Sequence, residues 1–262
     1  MQLLRHWSPG HIVGVFTDID DTLTTEGAIT SDALQALADL KSAGLHVVPI
    51  TGRPVGWSEP FAQSWPVDAI VAENGAVGLQ HSTTQGLRKL YQQDARTRQA
   101  NFTRMQVVLD QIEKEVTGAR RSQDSAGRET DIAIDHSEFT HLPQHAIDEV
   151  VRVMQGAGMT ATVSSIHING WFGTHSKLTG ARWIVRKLWG RDLDTEIDRW
   201  VYVGDSTNDQ VMFEHFPISV GVANIARFLP QLRFKPRYVT QQPRGAGFAE
   251  LAQRLLAGAP RG

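Results

Sequence analysis

The chain has 262 residues, with 26 lysines and arginines against 28 aspartates and glutamates, a net charge of -2, and no cysteine. That length admits one or two domains with a core of ordinary size. The charge balance excludes a general phosphate-backbone binder. The missing cysteines exclude disulfides, thiolate zinc sites and cysteine nucleophiles.

No apolar run approaches the roughly 20 residues of a membrane helix. Met1 to Gly10 lacks the apolar stretch of a signal peptide. Cytoplasm is therefore the expected compartment, with neither a membrane nor a nucleic acid as partner. The oligomeric state is left open.

The first third alternates strands and helices. His11 to Thr17 is a short apolar strand. Ser31 is placed as the cap of a helix to Ala43, with Leu34, Leu37 and Leu40 on one face and Gly44 as its stop. Leu45 to Ile50 is a second strand, followed by Thr51-Gly52-Arg53-Pro54. Ala69 to Ala72 is a third, ending in the turn residues Glu73-Asn74-Gly75 with hairpin-like strands after it.

The middle differs in style. A long helix fits Arg98 to Val116, a polar loop Arg120 to Thr130, and a half-exposed strand Asp131 to Asp135. A helix at Gln144 to Gln155 and strands at Thr160 to Ser164 and Ile166 to Trp171 suggest an antiparallel sheet. The last third returns to the first pattern. Helices fit Ser176 to Leu188, Thr207 to Glu214 and Gly247 to Leu256. Strands fit Trp200 to Val203, Ile218 to Val222 and Arg237 to Thr240. The pattern predicts an α/β fold: a doubly wound parallel sheet from residues 1–82 and 172–262, with an α/β cap inserted at 83–171.

Three acids, Asp18, Asp20 and Asp21, directly follow the first apolar strand. In a parallel sheet this is the carboxyl end, where ligands bind. Asp18 and Asp20 are two apart, so an extended backbone turns both to one side. Carboxylates so close repel unless a cation lies between them, and hard oxygen donors favour Mg²⁺ paired with a phosphate substrate. Gly204 to Asp209 (GDSTND) places further acids after another buried strand, and Asp205 can complete the metal shell. The Thr51 hydroxyl and the Gly52 amide can hold a phosphate oxygen. Lys177, near a helix start, can neutralise phosphate charge.

These motifs resemble, in order, the four of the haloacid dehalogenase superfamily: DIDDT at Asp18 to Thr22, TGR at Thr51 to Arg53, Lys177, and GDSTND at Gly204 to Asp209. VAENGA at Val71 to Ala76, VGVAN at Val220 to Asn224 and the size of the insert resemble its type IIB subgroup, which includes sugar phosphatases. The resemblance spans essentially the whole chain. One departure is Asp21, where the family commonly has glycine. Lys177 is preferred over Lys187 because it lies in the first turn of its helix.

The resemblance implies a Rossmann-like core and a Mg²⁺-dependent phosphatase acting on a small phosphorylated metabolite, such as a sugar phosphate. Asp18 would be the nucleophile, giving an aspartyl-phosphate. Asp20 would act as general acid and base. Mg²⁺ would be held by Asp18, Asp205 and the Asp20 backbone carbonyl. Thr51, Gly52, Lys177 and Asn208 would hold the phosphoryl oxygens, with Asp209 supporting Lys177. Alternatives are a phosphotransferase of the phosphomannomutase kind, using the same intermediate, and a non-catalytic phosphometabolite-binding protein.

Weaker signals have plainer readings. Asp192, Asp194, Glu196 and Asp198 alternate like a calcium loop but lack its glycine, Ile197 standing in that place. His136, His141 and His145 are interrupted by Pro143 and read as surface histidines. Gly245 to Gly247 is a helix entry rather than a nucleotide turn. Trp57 is a candidate for the site entrance. In the cap, Arg120, Arg121, Arg128, His136, His167 and Asn169 are candidates for reading the substrate. His167 and Asn169 alternate on one strand and so face one way.

Overall fold

The computed structural model describes residues 1–257. The chain opens with a two-residue strand β1 (Gln2–Leu3), then β2 (Gly14–Thr17) and a small hairpin of β3 (Thr24–Thr25) and β4 (Ala28–Ile29). Helix α1 (Ser31–Ser42) and strand β5 (His46–Pro49) follow. Helix α2 (Val55–Ser64) leads into β6 (Ile70–Ala72), β7 (Val77–Ser82) and β8 (Gly86–Tyr91). Next come α3 (Ala95–Glu115), β9 (Ile132–Asp135), α4 (Gln144–Gly156), β10 (Thr160–Val163) and β11 (His167–Trp171). The chain ends with α5 (Lys177–Trp189), β12 (Trp200–Gly204), α6 (Gln210–His215), β13 (Ile218–Gly221), β14 (Tyr238–Val239) and α7 (Arg244–Ala257). No helix among the described residues is long and apolar enough to cross a membrane.

Six strands form one parallel sheet in the order β1-β14-β13-β12-β2-β5. The period of two along each strand divides its side chains between two apolar layers. Val15, Val47, Val201 and Val203 join α1 and α7 on one face. Phe16, Val48, Trp200 and Tyr202 join α5 and α6 on the other. From β2 the chain winds outward to β5, and from β12 it winds the opposite way to β13 and β14. The reversal between β2 and β12 is the switch point of a doubly wound sheet, and its carboxyl end is where loops can hold a ligand.

Several local expectations shift. Helix α1 buries Ala33, Ala36, Leu37 and Leu40, while Leu34 faces solvent. These buried positions follow the i, i+3, i+4, i+7 rule that Leu34 breaks. Thr30, not Ser31, is the residue before the first helical turn. Helix α2 escapes the sequence reading because Gly56 and Pro60 lie inside it. The first two-residue strand, β1, escapes it because its pairing partner lies at the other end of the chain.

The antiparallel sheet β10-β11-β9 has its own apolar layer, running from Met105 to Phe172 and built with α3 and α4. Ile134 and Ile168 face those helices, while His167 and Asn169 face the main sheet's carboxyl end. The hairpin β7-β8, which includes Thr83 in its turn, packs Val77 and Leu79 into the main core.

Candidate active site

Register places the key acids side by side. Thr17 of β2 pairs with Val203 of β12, and the Asp18 N–H donates to the Val203 carbonyl at 2.9 Å. Asp18 therefore stands beside the strand end that carries Asp205. Lys177 opens α5, whose start is fixed by a reciprocal cap between Ser176 and Thr179. Its Nζ lies 2.5 Å from Asp18 Oδ1 and 2.6 Å from Asp209 Oδ1. Asp209 is fully spent as a support. Its Oδ1 also accepts from the Tyr202 hydroxyl, and its Oδ2 accepts from the Asp205 and Ser206 amides at 2.9 and 3.1 Å. Lys187 is exposed and takes no part.

Asp18, Asp205 and Asp209 are all buried and offer oxygens within 4.8 Å of one another. Asp205 Oδ2 accepts from Asn224 at 2.9 Å and from Arg227 at 3.2 Å, but its buried Oδ1 has no partner. Burial pushes Asp18 up to about 8, with Lys177 opposing and Asp209 and Asp20 adding to the rise. Burial, then Asp18 and Asp209, drives Asp205 well above the carboxylate range. Burial lowers the pKa of Lys177, but Asp18 and Asp209 together raise it beyond its ordinary value. A hard divalent cation fits this donor set, since it would supply both the missing partner of Asp205 and the missing positive charge.

Asp21 holds φ of 56°, the left-handed region that glycine favours. Its carboxylate meets Arg227 at 2.7 Å and Arg244 at 3.1 Å. The carboxylate that stands in place of glycine is thus held by two ion pairs, one of them through Arg227, which also meets Asp205.

Thr51 is buried at the end of β5, and its hydroxyl accepts from the Arg53 amide at 3.0 Å. Gly52 and Asn208 line the cleft together with Asp18, Asp20, Arg53, His167 and Asn169. Asn208 is held by the Ser206 hydroxyl at 2.9 Å. The cleft is narrow, with room for about one water molecule.

The cap closes this space through polar contacts. Arg53 Nη2 donates to Asp20 Oδ1 at 2.9 Å and to Glu138 at 2.8 Å, and Nη1 reaches Asp124 at 3.3 Å. Trp57 lies under the Arg53 guanidinium at 4.9 Å and packs against the main core. His167 meets Glu138 at 2.8 Å. Burial works against it, but His167 and Arg53 hold Glu138 down at about 2. Arg128 donates to the Gly52 carbonyl at 3.0 Å and to Asp131 at 2.7 Å. Asn169 donates to the same two groups at 3.2 and 3.0 Å. Burial pushes Asp131 up to about 7 despite Arg128. Arg128 and Asn169 thus tie the cap to the loop that carries Thr51.

Sequence reasoning passed over Arg53 as a site residue, although its place in the TGR motif marks it. It had no signal for Glu138, Asp124, Asp131 or Tyr202, whose partners lie far along the chain. Arg120 bonds the Ala119 carbonyl, and Arg121 pairs with Glu113 and Asp110, so both act within the cap. Glu196 pairs with Arg191, Asp194 with Arg182, and Asp192 caps a short turn, so no metal-ligating group forms there among the described residues. His141 and His145 are exposed, and His136 meets the Ser164 carbonyl at 3.0 Å.

A model of haloacid dehalogenase-like hydrolases matches residues 15–107. A phosphoglycolate phosphatase of Methanothrix thermoacetophila is 27% identical over 94% of this chain and 98% of its own length. The fold is shared with the sucrose-phosphatase of Synechocystis, solved with sucrose and phosphate, at TM-score 0.67 and 16% identity over 94% and 98% of the two chains. It is also shared with a subclass IIB sugar phosphatase at TM-score 0.61 and 15% identity over 92% and 96%. Over residues 15–107, which hold the strand-end aspartates of β2 and the Thr51 loop, the chain is similar to the haloacid dehalogenase-like hydrolases.

Proposed function

We propose that this protein is a phosphoric monoester hydrolase that uses Mg²⁺ and forms an aspartyl-phosphate on Asp18. One observation carries the reading: Asp205 Oδ1 is buried without a partner beside Asp18, with Lys177 as the neighbouring ammonium. Such a cluster suits a site that neutralises a phosphate dianion with one metal ion and one lysine.

Asp18 and Asp205, with the Asp20 backbone carbonyl, would hold the ion. When bound, Mg²⁺ supplies positive charge to the phosphoryl oxygens. The Asp18 carboxylate attacks phosphorus, the bond to the ester oxygen breaks, and Asp20 gives that oxygen its proton. Water then attacks phosphorus, Asp20 takes the water's proton, and Asp18 is freed with inorganic phosphate. Lys177, held by Asp209, keeps Asp18 oriented, while Thr51, Gly52 and Asn208 hold the transferred oxygens.

The acid-rich cleft supports an uncharged, hydroxyl-bearing leaving group. Asp20, Asp124 and Glu138 surround the single guanidinium of Arg53, so a second carboxylate would meet repulsion. A sugar phosphate suits this better than a phosphorylated carboxylic acid. The segment between β8 and α5, which overlaps most of the expected span 83–171, would be a cap that opens to admit it.

The test is phosphate release from a panel of sugar phosphates, polyol phosphates and 2-phosphoglycolate, with Mg²⁺ and with chelator. Release that needs Mg²⁺ and is lost in Asp18→Asn is expected. Release that survives this substitution would refute the nucleophile. Isomerised sugar phosphate without free phosphate would identify a mutase instead.

A further inference from the structure

Three consecutive residues between β6 and β7 share left-handed backbone: Glu73 at φ 48°, Asn74 at 54° and Gly75 at 108°. Two of them carry side chains, for which this region is unfavourable, so the surroundings must enforce the turn. All three are buried, and each is tied to a different part of the site.

Glu73 joins core to cap. Its carboxylate accepts from the Val55 amide at 3.0 Å on the core side. On the cap side it accepts from the Glu129 amide at 2.9 Å and from both the amide and the hydroxyl of Thr130 at 2.5 Å. Its own N–H donates to the Arg53 carbonyl at 3.1 Å. Asn74 joins the same turn to the phosphate loop, its N–H donating to the Thr51 carbonyl at 2.9 Å. Gly75 joins it to the helix of Lys177. A Cβ on Gly75 would lie 2.2 Å from the Ser176 carbonyl oxygen, so only glycine lets the helix start approach. The Gly75 carbonyl also accepts from the side chain of Gln92, just past the end of β8, at 2.7 Å.

The geometry points to Glu73 as a positioning residue that couples cap docking to the shape of the Thr51–Arg53 loop. The inference rests on the phosphatase reading for its effect on rate, but its structural part stands without it. A buried carboxylate only accepts hydrogen bonds, and three of the four donor groups it meets come from the cap. Lifting the cap strips those donors away and leaves the carboxylate poorly satisfied. The loss is passed directly through the backbone to Arg53 and, by way of Asn74, to Thr51.

Glu73→Gln tests this. The amide keeps the shape but turns an NH₂ toward N–H donors. Amide hydrogen exchange should rise about tenfold or more at Glu129 and Thr130, and also at Arg53 and Asn74, whose N–H groups bond Thr51, while β2 and β12 stay protected. On the best substrate of the panel, kcat should fall about tenfold or more with KM changed far less. Thr130→Val, which removes one donor and leaves Glu73 in place, should move every readout the same way but less, and serves if Glu73→Gln does not fold.

Unchanged exchange at Glu129 and Thr130 would overturn the docking role. Faster exchange there, with Arg53, Asn74 and kcat unchanged, would overturn the coupling. If the wild-type protein hydrolyses no ester, the phosphatase reading fails, and the four amides still decide the inference.

Discussion

Lys177 reaches Asp18 across 159 residues of chain, its Nζ standing 2.5 Å from Asp18 Oδ1 in a buried site. That contact joins the two halves of the core at the site, beside the pairing of β2 with β12. Lys177→Met leaves Asp18 and Asp209 buried without their cation. Removing one partner of a buried pair typically costs about 3–5 kcal/mol. A clear drop in melting temperature is expected, together with a fall in turnover of about 10²–10³-fold, the usual cost of one charge-stabilising donor. A variant that melts with the wild type would contradict the central place given to this pair.

Asp20 is expected to separate from Asp18 in its behaviour. Asp18→Asn removes the nucleophile, so no turnover should remain while circular dichroism stays unchanged. Asp20→Asn removes proton transfer, worth about 10²–10⁴-fold, and weakens the pair with Arg53. With a leaving group that needs no proton, the first step should recover and the phosphorylated enzyme should accumulate, which intact-mass measurement detects. Equal losses for both variants on every leaving group would count against the division of roles.

Stability should depend on pH with a definite sign. Asp18 is raised to about 8 and Asp131 to about 7, each from an ordinary 3.8. A carboxyl raised on folding binds more protons in the folded state. Its contribution is full below pH 3.8 and is lost as pH rises through the folded value. In chelator the melting temperature should therefore decline between about pH 5 and 8. Mg²⁺ competes with the protons on Asp18 and Asp205, so it should lift the melting temperature more at pH 8 than at pH 5.5. Equal lifts at both would argue against a site made of these acids.

The chemistry next to the main strands was legible because it follows local rules. An apolar strand, an acid at its end and a helix start are visible within ten residues, which is why Asp18, Thr51, Lys177 and Asp205 could be named. The cap contacts follow no local rule. Arg53 meets Asp124 and Glu138 at separations of 71 and 85 residues, and nothing near those acids in the sequence marks them as partners. Arg128 and Asn169 were picked out for their chemistry, and the chain spends that chemistry on the Gly52 carbonyl. Only the docking of cap on core decides such uses.

Glu138 gives a test of substrate class. With Asp20 and Asp124 it places three carboxylates around Arg53. Glu138→Gln lowers that charge by one and frees part of the guanidinium. Relative kcat/KM for 2-phosphoglycolate against the best sugar phosphate should rise about tenfold, the scale of one close charge contact. A ratio that falls would show that Glu138 does not select against a charged leaving group.

Two glycines face each other where cap meets core. A Cβ on Gly56, in the first turn of α2, would lie 2.9 Å from the Gly127 Cα, and one on Gly127 would lie 3.2 Å from the Gly56 Cα. In both cases the obstacle is backbone, which cannot swing aside as a side chain can. Alanine at either place must push the cap outward, and the shorter contact must push harder. Gly56→Ala should lower kcat on the best substrate by about tenfold, since small misplacements of catalytic contacts are costly. Gly127→Ala should lower it less. Stability should move differently, because alanine in a helix gains about 1 kcal/mol over glycine. Gly56→Ala should therefore lose activity without losing melting temperature, and a small aryl phosphate that barely touches the cap should be spared. The opposite ranking of the two variants, or a melting temperature that falls in step with rate, would mean that the glycines serve folding rather than cap closure.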